Sequence, residues 1–334
     1  MPRELTTVAD DEAVVFDGPH VERFADLAPD TRHELGGFEF TTLPRRGDLL
    51  ATIATVNDVH FGEVVAGHID GMDFEGVSSA PGAVPYPETM NRGAVAEITA
   101  RDPDRVVAKG DRPDRGLDVE YDRFLAVYGG AFGDRLLAVR GNHESFHGQT
   151  RGAEPFQQRT VDGVIVVLVD TARDGVTHGD LTADQLDQLD DLAARPDRPV
   201  LVMGHHPVWD RTREERRDDT FGLLPAATEA LGAVFARRPA LLGYFAGHTH
   251  RNRVVHLPDC GDRPFVEVAA VKEFPGTWAE YRVYDGLVLQ VHRRISTPEA
   301  LEWSERTRTM FGGGFEAYAS GRLEDRCFAM WAPR

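Results

Sequence analysis

The chain is poor in lysine, in cysteine and in long apolar runs. Among its 334 residues the only lysines are Lys109 and Lys272, so nearly all of its positive charge is arginine. Two cysteines, Cys260 and Cys327, cannot build a disulfide framework. A chain of this length buries enough surface on folding to need none. With 41% hydrophobic and 28% charged residues, neither a disordered chain nor a membrane span is expected. The opening residues Met1 to Thr6 lack the apolar stretch of a secretory signal, and a cytoplasmic location is the expectation. Positive charge is also scarce in total. Lys and Arg number 37 against 55 Asp and Glu, a formal charge of −18. A field of that sign repels polyanions, so nucleic acid is not an expected partner. A local cleft that is cationic or holds metal would still accept a small phosphate ester.

Residues 1–48 read as a small β-rich appendage. Glu12 to Phe16, Val21 to Phe24 and Phe38 to Thr42 have strand composition and are separated by Gly and Pro-Asp turns. Residues 49–296 form the main domain, in which strand and helix signals alternate. Short apolar, often β-branched runs at Ala51–Val56, Arg105–Ala108, Leu136–Val139, Val164–Val169, Val200–Met203 and Leu241–Phe245 predict buried strands. Thr182-Ala183-Asp184-Gln185 is a capping box ahead of Leu186, Leu189 and Leu192, and Pro225–Arg237 is a second helix. Phe265–Val271, Glu280–Tyr284 and Leu287–His292 predict late strands, the last two joined at Asp285-Gly286. Residues 297–334 read as a helical tail opening with Thr297 as N-cap and Pro298 at the first helical position. The expected class is α/β, with layered sheets flanked by helices. The long connections Gly62 to Pro87 and Trp209 to Leu223 follow strand C-termini, where ligands bind in open α/β sheets.

Five short motifs stand directly behind five of these strands: Asp58-Val59-His60, Gly110-Asp111-Arg112-Pro113-Asp114, Gly141-Asn142-His143-Glu144, Gly204-His205-His206-Pro207 and Gly247-His248-Thr249-His250. Any one alone carries little weight. Five in order, holding six of the chain's 13 histidines, mark one locus at one sheet edge. Ionisable groups gathered there cost too much without a compensating cation. The inventory suits two divalent ions about 3.5–4 Å apart. Imidazole with carboxylate favours Mn, Fe, Zn or Co over Ca or Mg, and the missing thiolate excludes a cysteine site. Asp58, Asp111 and a bridging hydroxide leave the two cations with a surplus of positive charge. That surplus attracts a phosphate oxygen and yields a nucleophile at neutral pH, which points to phosphate-ester hydrolysis.

From residue 58 to 250 the series resembles the calcineurin-like metallophosphoesterase superfamily, with its pattern D-x-H, G-D-x-x-D, G-N-H-[DE], G-H-x-P, G-H-x-H. The resemblance implies a four-layer α/β/β/α sandwich and a binuclear centre, with manganese and iron the favoured metals. It makes Asp58, His60 and His250 ligands of one metal and Asn142, His205 and His248 ligands of the other, with Asp111 bridging. By the same resemblance His143 contacts the phosphoryl group and protonates the leaving oxygen, while the Asp114 carboxylate orients its ring. His206 reads as a supporting residue. Asp114 occupies the place of the tyrosine ligand of purple acid phosphatases, so a purple site is not expected. D-R-P-D-R-G at 111–116 echoes the serine/threonine phosphatases and makes Arg115 a phosphate clamp. His205-His206-Pro207 with Gly247-His248-Thr249-His250 looks more like bacterial cyclic-nucleotide and glycerophosphodiester phosphodiesterases.

The expected activity is therefore metal-dependent hydrolysis of a small-molecule phosphodiester by a metal-bridging hydroxide. A phosphomonoesterase using Arg115 is the alternative, and a non-catalytic scaffold of the same fold a third. No ligand or catalytic histidine is missing, which argues against the scaffold.

Overall fold

The computed structural model describes residues 3–68, 74–194 and 198–332. Two six-stranded sheets face each other. The first runs in the order Phe328–Trp331, Leu287–Arg294, Thr277–Tyr284, Ala51–Val56, Arg105–Lys109, Leu136–Val139. Its last three strands are parallel and the rest antiparallel. The second runs Arg253–Val255, Phe265–Glu267, Leu241–Ala246, Val200–Met203, Val164–Val169, Phe156–Val161, parallel at its centre with an antiparallel strand at each edge.

Strand alternation builds the layers. Val107 points into the core between the sheets, where Ile53 and Leu137 meet Val166, Leu168, Leu201, Met203 and Phe245. Its neighbours Val106 and Ala108 point outward, against Met90, Ala94 and Ile98 of the helix Tyr86–Arg101 and Trp303 of the helix Pro298–Thr307. On the far side Val167 and Val202 pack on Leu189, Leu231 and Phe235 of the helices Ala183–Ala194 and Pro225–Arg237. The result is the four-layer α/β/β/α sandwich. Sheets covered on both faces explain why the central strands read as unbroken apolar runs. The capping box forms as expected: the Gln185 amide donates to Thr182 Oγ1 at 3.2 Å, and the Thr182 amide donates to Gln185 Oε1 at 2.8 Å.

The N-terminal strands Glu4–Val8, Ala13–Asp17 and His20–Phe24 form a three-stranded sheet beside the hairpin Arg32–Leu35/Phe38–Thr41. Charge ties them to the main sheet. Asp10 accepts from Arg282 and Arg45 at 2.5 Å and from the Tyr284 hydroxyl at 2.7 Å. Glu12 accepts from Arg293 at 2.6 Å and Arg282 at 2.7 Å.

Two differences from the sequence reading have physical causes. Residues 297–334 are not wholly helical, because Phe328–Trp331 adds an edge strand to the first sheet through Leu287–Gln290. The run from Phe265 leaves the sheet after Glu267, and the carbonyls of Val268 and Ala269 serve Asn57 Nδ2 at 3.0 and 3.3 Å instead. Of the connection between Gly62 and Pro87, residues 69–73 lie outside the described residues. Among the described residues no helix is long and apolar enough to cross a membrane.

Candidate metal centre

All five motifs converge at the C-terminal edges of the two sheets. The backbone is bent hard to achieve this. Asp58, His60, Asp111, His248 and His250 adopt φ of 52°, 43°, 51°, 69° and 54°, half of the ten positive-φ non-glycine residues among those described. Left-handed backbone costs energy at such residues and persists only where surroundings over-determine it. Here the Val59 and His60 amides both donate to the Asp111 carbonyl at 3.0 Å, and the Gly247 amide donates to the His205 carbonyl at 2.9 Å. Two glycines are demanded by crowding. A Cβ on Gly110 (φ 89°) would lie 2.9 Å from the Gly141 Cα, and one on Gly141 would lie 2.8 Å from His205 Nε2.

The histidines are oriented from outside. His205 Nδ1 donates to the Lys109 carbonyl at 2.8 Å, and His248 Nε2 donates to the Phe221 carbonyl at 2.6 Å. His250 Nδ1 meets Glu273 Oε1 at 2.7 Å. The carbonyls and the Glu273 carboxylate accept, so each outer nitrogen carries a proton, and the inner nitrogen is the one left to meet a cation, whether a proton or a metal ion. His205 Nε2 then faces oxygen on two sides, Asn142 Oδ1 at 3.1 Å and Asp111 Oδ2 at 3.2 Å. His250 Nε2 lies 3.4 Å from Asp58 Oδ1. His60 is buried with neither ring nitrogen hydrogen-bonded among the described residues, Nε2 standing 3.6 Å from Asp111 Oδ2. Lone pairs opposed to carboxylates repel unless a cation lies between them. The donor set therefore fits metal ions. Donor atoms of Asp58, His60 and His250, of Asp58, Asp111 and His205, and of His205, His206 and His248 each fall within 4.8 Å of one another.

Electrostatics carry the same message. Burial opposes ionisation of Asp58 and Asp111, yet His250 and His205 hold their carboxyls below the usual range. Burial likewise opposes charging His205, but Asp111 and then Asp58 lift it to about 9. Asp58 and Glu273 lift His250 to about 10 against its burial. His248, buried beside the charge on His205, falls to about 3. In the absence of metal these carboxylates favour a proton on His205 and on His250.

His143 stands at the rim with its ring 4.4 Å from that of His60. Its Nδ1 meets the Asp114 backbone carbonyl at 2.5 Å, whereas the Asp114 carboxylate is 3.8 Å away. The ring is thus oriented by the main chain of Asp114 and not by the carboxylate that the sequence reading invoked; that carboxylate lies 3.6 Å from His60 Nδ1. Arg115 is largely exposed, its Nε 3.6 Å from Asp114 Oδ2. His206 is held by Thr171 Oγ1 at 2.8 Å, edge-on to His205.

Several residues that shape the site escaped sequence reasoning. Glu144 was visible in its motif but without a role: it accepts the amides of Gly141 (2.8 Å), Asp111 (3.1 Å) and Arg112 (3.1 Å) and Arg112 Nε (2.6 Å). Asn57 Nδ2 positions Asp58 Oδ2 at 2.6 Å. Both lysines are buried at the centre. Lys109 Nζ donates to the Ala246 carbonyl at 3.0 Å, and burial lowers its pKa to about 7. Lys272 pairs with Glu63 at 2.5 Å and lies 3.8 Å from Glu273 Oε2. A lysine count of two was the available signal, since a chain that otherwise uses arginine keeps lysine only here.

A four-layer sandwich gathering buried imidazole and carboxylate donors at the C-terminal edges of its two central sheets is a metal-binding α/β protein of the metallophosphoesterase type. The chain belongs to the calcineurin-like phosphoesterase family, whose profile matches residues 51–252, more than half of its length. It is 32% identical to a probable cyclic nucleotide phosphodiesterase of Rhodopseudomonas palustris over 47% of this chain and 61% of the relative. It is 30% identical to a probable cyclic nucleotide phosphodiesterase of a Synechococcus species over 33% and 45%. A cAMP/cGMP dual specificity phosphodiesterase of Mycobacterium tuberculosis is 28% identical over 32% and 37%. The matched segments thus span less than two thirds of each relative. In fold the chain is similar to a dimetal phosphatase of Danio rerio, with TM-score 0.57 and 17% identity over 74% of this chain and 98% of that one. It is also similar to a purple acid phosphatase of yellow lupin, with TM-score 0.51 and 13% identity over 84% and 60%.

Proposed function

We propose that the protein is a binuclear metal-dependent phosphodiesterase acting on a small-molecule ester, a cyclic nucleotide or glycerophosphodiester. The observation that carries this reading is the convergence of ring nitrogens of His60, His205 and His250 on the carboxylates of Asp58 and Asp111, at 3.6, 3.2 and 3.4 Å. On this reading Asp58, His60 and His250 hold one ion, Asn142, His205 and His248 the other, and Asp111 both. Manganese or iron suits such a donor set. Two bound divalent ions supply Lewis acidity toward the phosphoryl oxygens and lower the pKa of bound water. The chain's residues do the rest. With Nδ1 committed to the Asp114 carbonyl, His143 presents Nε2 at the rim and delivers a proton from it to the leaving oxygen. The names of the sequence relatives support the diester preference. So does Arg115: exposed and partnered by Asp114, it gives little of the closed cationic pocket that a monoester dianion needs. A cytoplasmic location and a division into residues 1–48, 49–296 and 297–334 accompany this proposal.

The test is paired turnover of bis(p-nitrophenyl) phosphate and p-nitrophenyl phosphate by protein stripped with chelator and reloaded with Mn²⁺. Metal-dependent preference for the diester is the expected result. Preference for the monoester transfers the assignment to a phosphatase using Arg115. No turnover of either with two ions bound overturns the catalytic reading.

A further inference from the structure

We infer that Phe221 and Phe146 form an aromatic subsite that selects esters carrying a planar ring, such as a nucleoside, over esters of small polyols. The inference rests on the phosphodiesterase reading and names the substrate class within it. Three phenylalanines are exposed among the described residues, and two of the three pack on histidines of the centre. Phe221 lies nearly parallel to His248, with ring centroids 4.3 Å apart and planes 29° apart. One face of the phenyl is thus used and the other is open; the residue is 57% exposed. Phe146 stands edge-on to His143 at 5.7 Å and is 38% exposed. The two rings therefore rise from the rim at different histidines, one beside the proton donor and one beside a candidate ligand.

Phe221 is set in an anchored segment. Its own carbonyl takes the His248 Nε2 proton at 2.6 Å, and the Leu223 and Leu224 amides donate to the Pro207 and Gly179 carbonyls at 2.7 and 2.9 Å. An exposed ring held this way loses little entropy when a second ring stacks on it. Every nucleobase offers a π-face for such stacking, whereas a glyceryl group asks for hydrogen-bond partners that a phenyl face does not supply. If His143 serves the leaving oxygen as proposed, Phe146 borders the departing group of an open-chain diester and Phe221, on His248, is the ring left to the retained one.

The experiment compares thymidine 5′-(p-nitrophenyl phosphate) with methyl p-nitrophenyl phosphate, which share a leaving group and differ in the retained one. Metal content is measured on each variant in parallel. The wild-type protein is expected to favour the thymidine ester in kcat/KM, mainly through KM. Phe221→Ala is expected to cut that preference by about tenfold, and Phe221→Trp to keep it. Equal losses on the two esters in Phe221→Ala, or no preference in the wild type, overturn the subsite while leaving the phosphodiesterase reading standing. Hydrolysis of p-nitrophenyl phosphate with neither diester turned over removes the phosphodiesterase reading, and the subsite with it.

Discussion

Arg112 and Glu144 form an ion pair with both side chains fully buried, Nε to Oε1 at 2.6 Å. The pair joins two motifs that approach the centre from neighbouring strands. Because Glu144 also takes the amides of Gly141 and Asp111, it sets the distance between Asn142 and Asp111. Glu144→Gln leaves a buried guanidinium without its countercharge and turns an amide N–H₂ toward backbone donors. The expected loss of stability is about 3–5 kcal/mol, with weakened metal retention. Denaturant unfolding of the metal-loaded protein checks the first effect and metal analysis after gel filtration the second.

His143 should separate chemistry from metal binding. It lies at the rim and is oriented through the Asp114 carbonyl. His143→Ala is expected to retain metal but to lose about 10²–10⁴-fold in turnover where the leaving group is an alkoxide that needs a proton. p-Nitrophenolate departs without one, so its esters should lose far less. Rates on a cyclic nucleotide and on bis(p-nitrophenyl) phosphate decide between the two, and equal losses would exclude the proton-donor role.

The central strands and the donor series were legible because both are local. Val164–Val169 and Val200–Met203 announce themselves as apolar runs, and each motif follows its strand within a few residues. What lay hidden is long-range. Glu273 acts on His250 from 23 residues away and Lys272 on Glu63 from 209, and no spacing rule connects them. The edge strand Phe328–Trp331 was hidden for a related reason: its burial alternates weakly, and its place depends on Leu287–Gln290 of a distant hairpin. The Asp114 role was assigned to a side chain because side chains are what a sequence displays, whereas the structure uses the carbonyl.

The N-terminal strands should make the protein sensitive to acid. Burial opposes ionisation of Glu12, yet Arg293 and then Arg101 hold its carboxyl far below the usual range. A carboxyl whose pKa is depressed on folding contributes stability that is complete above its unfolded value of 4.5 and is lost as pH falls toward the folded value. Glu12→Gln is therefore expected to melt lower than wild type at pH 7 and to lose less on acidification. Melting temperatures between pH 7 and pH 3 check this, and parallel curves would remove Glu12 from the account.

Metal loading should expel protons. In the metal-free protein His205 titrates at about 9 and His250 at about 10, because Asp111 and Asp58 draw charge onto rings that burial would otherwise keep neutral. Both lie above the ordinary imidazole value, so at pH 7.5 both rings hold a proton on the nitrogen that faces the centre. An ion can bind only the deprotonated ring. Addition of Mn²⁺ to stripped protein in weak buffer at pH 7.5 is thus expected to release about two protons per chain, and the apparent affinity to fall as pH is lowered. The sign for stability is the reverse. A raised histidine pKa stabilises the metal-free fold fully below 6.5 and ceases to do so as pH rises through about 9 to 10. Metal-free protein should therefore soften in alkali while the Mn²⁺-loaded protein holds, which thermal unfolding at pH 7 and pH 10 measures directly. If loading releases no protons, the rings are neutral beforehand, and the carboxylates of Asp58 and Asp111 carry the burial cost without them.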